Sequence, residues 1–324
     1  MLKYIGKRIL MLIPVLLGVM IIIFFFKVIS PGDPIDSLLP SDATEEERQI
    51  KREELGLDEP VIIQFKNYVV GVLHGDLVTS YKSGAPVRGE VLGRLKVSVV
   101  ICFGAVLLGL VMGLPLGVIS ALKKYTLVDS SILVISMFFS SVPNFCLGLF
   151  MIYFFSVKLG VLPVTGITTI KGFVMPIAVI ALISMSRYTR ITRSSMLESL
   201  SNDFIRTARA KGQKESKITI RHALRNALIP VINAVGTQMG HQLGGALVLE
   251  TVFGIPGVGK YVADAILLRN YPSLLGGVLT MAILVTVVNL IVDLLFVVID
   301  PRLKKSLLSS KKIKKVKVCP EGGR

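Results

Sequence analysis

The feature that most constrains this chain is a series of apolar segments long enough, or nearly long enough, to cross a bilayer. A helix needs about 20 apolar residues to span the hydrocarbon core. Six segments meet or approach that length: 9–26, 97–122, 130–157, 172–186, 227–249 and 274–299. Because lipid cannot satisfy irregular backbone, the sequence predicts an all-α polytopic membrane protein with six transmembrane helices. The first segment is too long for a signal peptide and lacks a small-residue cleavage site, so we interpret it as a retained span.

The distribution of charge predicts the orientation of these spans. The net charge of +16 could indicate a nucleic-acid partner. With the N-terminus inside, however, the cytoplasmic stretches 1–8, 123–129, 187–226 and 300–324 hold 24 of the 37 Lys and Arg residues. Positive residues concentrate in cytoplasmic loops of membrane proteins. We therefore predict that both termini are cytoplasmic, and the reason for invoking nucleic acid disappears.

This orientation divides the chain into four parts. They are a first transmembrane helix (1–29), an extracytoplasmic segment (30–94), a transport domain (95–300) and a basic cytoplasmic tail (301–324) that is solvated or contacts membrane lipid. The extracytoplasmic segment contains a polar stretch at 44–55 that is predicted to be helical, with Asp42 or Thr44 as its cap.

Residue spacing argues against a metal site, a disulfide framework and a phosphate-binding loop. The three cysteines and three histidines are widely separated, which argues against a metal site or a disulfide framework. Residues 254–260 match GxxxxGK, but Tyr261 follows where a phosphate-binding loop needs Ser or Thr, and no strand precedes it. The chain also has no catalytic constellation, so we expect neither an enzyme nor a nucleotide-binding subunit.

Polar residues within the apolar segments have two possible interpretations. Asn289 and Asp293 lie inside the sixth segment, and an intramembrane acid is a candidate functional residue. The alternative is structural: Asp293 pairs with Asn289 or with an arginine of the fourth span. Pro143 is expected to kink the third span. The glycines of the fifth span either permit close packing or line a pathway.

The basic segment 187–226 is predicted to be structured. Residues 201–203 would cap a short helix, Gly212 would end it, and a second helix would run from about Ser216 to Ala227. Such a helix suits docking onto a cytoplasmic partner. The simpler alternative is that the charges only obey the positive-inside rule or touch anionic lipid. These residues alone do not separate the two.

The segment resembles the coupling loop of the peptide and nickel permeases among binding-protein-dependent ABC importers. Thr207 and Ala208 followed by Gly212 carry the resemblance, although Arg206 and Thr207 depart from the general Glu-Ala-Ala pattern. Asn270 also stands where this family usually has Asp. Further motifs follow in family order at 12–14, 31–34, 75–77, 141–145, 162–163, 222–230, 250–253, 256–259 and 300–302.

The resemblance implies a type I ABC importer transmembrane fold in the cytoplasmic membrane. Its implied partners are a homologous second permease, two cytoplasmic ATPases that carry ATP and Mg, and an extracytoplasmic solute-binding protein; no cofactor is expected on this chain. The implied cargo is a short peptide, with nickel or another chelated metal as the alternative.

An ATP-independent secondary carrier is the rival class, and would be expected to show more intramembrane charge and internal repeats. The residues implied to couple to the ATPases are Asp203, Phe204, Arg206, Thr207, Ala208, Arg209, Ala210, Lys211 and Gly212.

Overall fold

The computed structural model describes residues 2–29, 35, 38–40 and 42–299. Its regular elements are helices, as predicted, and a single isolated bridge joins Thr79 and Pro86. The helices are α1 Leu2–Ile29, α2 Glu45–Glu54, α3 Val61–Leu73, α4 Val87–Leu122, α5 Leu127–Ser141, α6 Asn144–Met151, α7 Val174–Ser201, α8 Asp203–Ala210, α9 Glu215–Lys217, α10 Arg225–Val252, α11 Val258–Leu267 and α12 Tyr271–Ile299. Two π-helical segments extend this series: Ile152–Lys158 continues α6, and Ile218–Leu224 joins α9 to α10.

Several of these helices are long and apolar enough to cross a membrane. Among the described residues, four qualify singly: Leu10–Ile29, Val87–Leu122, Ile170–Ser201 and Tyr271–Val292. The predicted third span is instead a pair of helices, Leu127–Ser141 and Asn144–Lys158, which meet at 98°. The bend at Pro143 is thus a break rather than a kink. The glycine-rich α10 does not qualify by itself, so the count of six spans stays a prediction.

A row of glycines on α4 brings its backbone against α7. Gly109, Gly113 and Gly117 recur every fourth residue and therefore lie on one face of the helix. A methyl group on Gly113 would come within 2.8 Å of the Met185 carbonyl, and one on Gly117 within 2.7 Å of the Thr189 carbonyl. Small residues at this spacing allow membrane helices to pack at backbone distance. We call this contact the α4–α7 glycine row.

The glycines of α10 serve two purposes, which the sequence did not separate. Side chains at Gly236 and Gly240 would collide with Val292 and Asn289 of α12, so these glycines permit close packing. A side chain at Gly244 would meet nothing within 4 Å. Gly244 is therefore on an open face of the helix.

The described part of the segment between α1 and α4 packs against the long apolar helices. Thr44 caps α2 in a capping box with Glu47, which confirms one of the two predicted caps. Below it, α3 packs on α1 and α12 through a cluster that includes Phe24, Tyr68 and Leu279. This cluster fixes the first span to the rest of the bundle.

Candidate functional site

The predicted coupling helix is present as α8, but its start differs from the prediction. Asn202 occupies the N-cap position with an extended backbone, yet its side chain makes no capping hydrogen bond. Its Nδ2 instead donates to the carbonyl of Glu198, 3.0 Å away, at the end of α7. Asn202 therefore joins two consecutive helices rather than satisfying the first turn of α8.

One face of α8 is buried against the ends of the long helices α4 and α7. Ile205 is fully buried and Ala208 is 6% exposed, and both belong to a cluster with Ala121 of α4, Met196 of α7 and Ile218. The remaining residues of the predicted coupling set are exposed. They are Asp203, Phe204, Arg206, Thr207, Arg209, Ala210, Lys211 and Gly212.

The turn after α8 requires glycine. Gly212 has φ of +69°, in the left-handed region that side chains disfavour, and its N–H donates to the Arg209 carbonyl at 2.9 Å. Gln213 N–H then donates to the Ala208 carbonyl at 3.3 Å. The predicted helix end is confirmed, and the chain reverses within two residues.

Polar contacts hold this turn together. The Arg209 guanidinium donates to both carboxylate oxygens of Glu215, at 2.7 and 3.3 Å. This exposed hydrogen-bonded pair raises the pKa of Arg209 and lowers the pKa of Glu215. The Nε2 atom of His222 lies 2.9 Å from Gln213 Oε1. The second helix begins at Glu215 and continues without interruption through the π-helical segment into α10.

A buried ion pair that sequence reasoning missed fastens the helices above α8. Arg193 of α7 donates to both oxygens of Asp129 on α5, each at 2.7 Å. Asp129 also accepts from Ser120 Oγ at 2.5 Å and from the Tyr125 N–H at 3.0 Å. The signal was available, because Asp129 is the lone acid between two long apolar segments. The Asp129 carboxylate ties α4, α5 and α7 together near the turn between α4 and α5.

A second buried carboxylate organises the loop that matches GxxxxGK. Glu250, 1% exposed at the end of α10, accepts from Ser98 Oγ at 2.6 Å and from the Lys260 N–H at 3.0 Å. Side chains at Gly257 or Gly259 would collide with it. The loop thus encloses a carboxylate of its own chain, and Ser98 connects it to α4.

The predicted intramembrane pair is only partly visible. Asn289 is exposed on α12, and its Oδ1 would lie 2.9 Å from a methyl group on Gly240. The side chain of Asp293 lies outside the described residues. A functional role for these two residues therefore stays a prediction.

Comparison with known families shows which class of protein this chain belongs to. Residues 113–305 match the model for the binding-protein-dependent transport system inner membrane component. Residues 1–101 match the model for the N-terminal part of such membrane components. The chain belongs to this family. It is a multi-pass membrane protein of the permease class, as the motifs of the coupling segment indicated.

Curated relatives cover almost the whole chain. The oligopeptide transport system permease protein AppB of Bacillus subtilis is 36% identical over 315 residues, covering 94% of this chain and 100% of that protein. The dipeptide transport system permease protein DppB of Escherichia coli K12 is 35% identical over 336 residues, covering 94% and 99%. The glutathione transport system permease protein GsiC of Salmonella typhimurium is 36% identical over 304 residues, with the same coverage.

Solved structures agree on the fold. The methionine ABC transporter MetNI, in an inward-facing conformation, superposes with a TM-score of 0.56 at 19% identity. That alignment covers 65% of this chain and 96% of the MetNI chain. An amino acid ABC transporter solved with histidines gives 0.51 at 16% identity. The fold predicted from the resemblance, that of an ABC importer membrane subunit, is confirmed.

Proposed function

We propose that this chain is the permease subunit of an ATP-driven importer and forms a pathway for short peptides with a second, homologous permease. The observation that carries the proposal is the set of permeases matched over 94% of this chain. Their named cargoes are oligopeptides, dipeptides and glutathione, which are all peptides. This common chemistry favours a peptide cargo over nickel or another chelated metal.

The proposed assembly places ATP hydrolysis on other chains. Two ATPase subunits, which carry ATP and Mg, bind the cytoplasmic face, and a solute-binding protein delivers peptide on the outer face of the cytoplasmic membrane. The family's name refers to such a binding protein and to the inner membrane. In this arrangement the second permease completes the pathway.

The geometry of α8 supports a coupling role for it. A coupling element needs one surface fixed to the membrane helices and another available to the ATPase. Ile205 and Ala208 supply the first, because they pack on residues from α4 and α7. Phe204, Arg206 and Lys211 belong to the second, because they are exposed. Displacement of α8 by an ATPase would therefore act directly on the ends of two long helices.

Reversing the charge of this exposed surface should release the ATPases. We expect Arg206→Glu with Lys211→Glu to lower the amount of co-purified ATPase by about tenfold or more, since like charges at an interface cost several kcal/mol. The measurement is purification of the tagged chain in mild detergent, with mass spectrometry of the bound subunits. Both side chains are exposed, so the second permease should still co-purify.

A matched control separates docking from net charge. Arg221 and Arg225 are exposed basic residues of the same cytoplasmic segment outside α8, so Arg221→Glu with Arg225→Glu changes the net charge by the same amount and should retain the ATPases. Equal loss of ATPase in both variants would show that these basic residues follow only the positive-inside rule and do not form a docking surface. If the unmodified chain is recovered without any ATPase or second permease, the importer proposal fails and an ATP-independent carrier takes its place.

A further inference from the structure

An arginine in one of the long apolar helices uses one of its five N–H donors within the part of the chain that the structure describes. Arg187 is exposed on α7, and its neighbour Tyr188 packs against Gly113 of α4. Gly113 precedes Lys123, the first charged residue after the apolar part of α4, by ten residues, or about 15 Å of helix. Arg187 is therefore about 15 Å of helix inside the charged end of α4, within a segment long and apolar enough to span the membrane.

The Arg187 side chain does not extend back to the cytoplasmic surface. Its Nη1 donates to Oε1 of Gln238 at 3.0 Å, and Gln238 is buried in α10. Gln238 follows Arg225, where α10 begins, by 13 residues, which corresponds to about 20 Å. Gln242, one turn further, donates to Ser184 Oγ at 2.8 Å and fixes the same pair of helices. The guanidinium is thus held at depth.

Arg187 has no counter-ion among the residues that the structure describes. Gln238 is its hydrogen-bond acceptor there, whereas a guanidinium carries five N–H donors. Arg193, about two turns along α7, differs in this respect, because it is paired with Asp129. Arg190, which lies between them, donates to Ser140 Oγ at 3.3 Å. An uncompensated intramembrane charge in lipid is costly, so Arg187 must face protein, water or a ligand.

The surface beside Arg187 is polar. Asn233, Thr237 and His241 are exposed at four-residue intervals on α10, and His241 is one turn from Gln238. Gly244 continues this open face without a side chain. The same polar residues lower the apolarity of α10, which did not qualify as a span by itself. A polar face at this depth fits a hydrated pathway better than lipid.

From this arrangement we propose that Arg187, oriented by Gln238, binds the terminal carboxylate of the transported peptide inside the membrane. The proposal rests on the proposed function, since it takes the cargo to be a peptide. A carboxylate is the one negative group that all unmodified peptides share, and a guanidinium can bind it with two parallel hydrogen bonds. Gln238 occupies one donor and leaves the others free for the cargo.

The test compares a free and a blocked peptide in the complete importer reconstituted into vesicles. Uptake of tri-L-alanine and of its C-terminal amide is measured for the unmodified complex and for Arg187→Gln. We expect the variant to lose tri-L-alanine uptake by about tenfold or more and to change amide uptake much less. Arg187→Lys, which keeps the charge but loses the two parallel hydrogen bonds, should retain more tri-L-alanine uptake than Arg187→Gln and less than the unmodified complex. The control Arg190→Gln removes the same charge one turn along α7 and should leave both uptakes nearly unchanged.

Each result decides the question. If the unmodified importer carries no amide, the affinity of the solute-binding protein for the amide shows whether rejection occurs before the membrane, and a contrast between Arg187→Lys and Arg187→Gln in tri-L-alanine uptake tests the charge at Arg187. Equal loss of both peptides in Arg187→Gln, or equal loss in the Lys and Gln variants, overturns the proposal and indicates a structural role or an acid of the second permease. Unchanged uptake in Arg187→Gln also overturns it. Absence of any peptide uptake by the unmodified complex contradicts instead the proposed function.

Discussion

Replacing Gly117 with leucine is expected to separate α4 from α7 and to prevent stable folding. A methyl group at this position would already lie 2.5 Å from Thr192 Cβ and 2.7 Å from the Thr189 carbonyl. The second of these is backbone, which cannot move aside by changing a rotamer. Overpacking of this kind costs about 3 kcal/mol or more, because whole helices must shift.

A buried cysteine provides the measurement. Cys102 is 3% exposed, whereas Cys146 is exposed. With Cys146 and Cys319 replaced by alanine, a thiol-reactive dye reports unfolding through Cys102 alone. We expect the Gly117→Leu chain to react without heating, while the parent reacts only at its unfolding temperature.

Gly93→Leu is the matched control for this experiment. Gly93 is on the same helix, and a side chain there would meet nothing within 4 Å. Its labelling curve should stay within a few degrees of the parent. If Gly117→Leu behaves like Gly93→Leu, then the α4–α7 glycine row is not a tight contact in the protein.

Removing the buried carboxylate of Glu250 is the second change with a large expected effect. Glu250→Ala deletes the acceptor for Ser98 Oγ and for the Lys260 N–H, and it leaves a cavity between α4, α10 and α11. Stranding buried donors of a charged network costs about 3–5 kcal/mol. We expect loss of the folded outer loop and early labelling of Cys102.

Two further variants test whether the buried carboxylate of Glu250 itself causes this loss of stability. Glu250→Gln keeps one acceptor oxygen but turns an N–H₂ group toward existing donors, so an intermediate loss is expected. Asp264→Ala removes a nearby acid whose ion pair with Lys260 is solvent-exposed, and such pairs contribute about 0–1 kcal/mol. Equal stability of Glu250→Ala and Asp264→Ala would contradict the central role given to Glu250.

The structural features that depend on a local sequence pattern could be predicted from the sequence. Apolar length indicated the membrane helices, Thr44 with Glu47 indicated a cap, and Gly212 indicated the end of α8. Each of these signals is contained within a few neighbouring residues or within one segment. Physical rules for single helices are sufficient to interpret them.

Contacts between distant segments were not predictable in the same way. Asp129 and Arg193 are 64 residues apart, and Ser98 and Glu250 are 152 apart. Nothing in either local pattern identifies the partner. Arg187 was assigned to a loop because it is charged, whereas α7 continues unbroken from Val174 to Ser201 and places Arg187 within a long helix. Only packing of the helices reveals such positions.

The α4–α7 glycine row also determines where this molecule can bend. Two helices that contact each other at backbone distance at three glycines, spaced four residues apart, are expected to move as one rigid unit. The short helix α8 contacts one end of this unit through Ala121 and Met196. By contrast, the entry to α10 has the wider π winding over Ile218–Leu224 and then Pro230, where the helical hydrogen-bond ladder is weakest. A displacement of α8 would therefore tilt α4 and α7 together. Bending would be concentrated at the start of α10, the helix that carries Gln238 and the polar face.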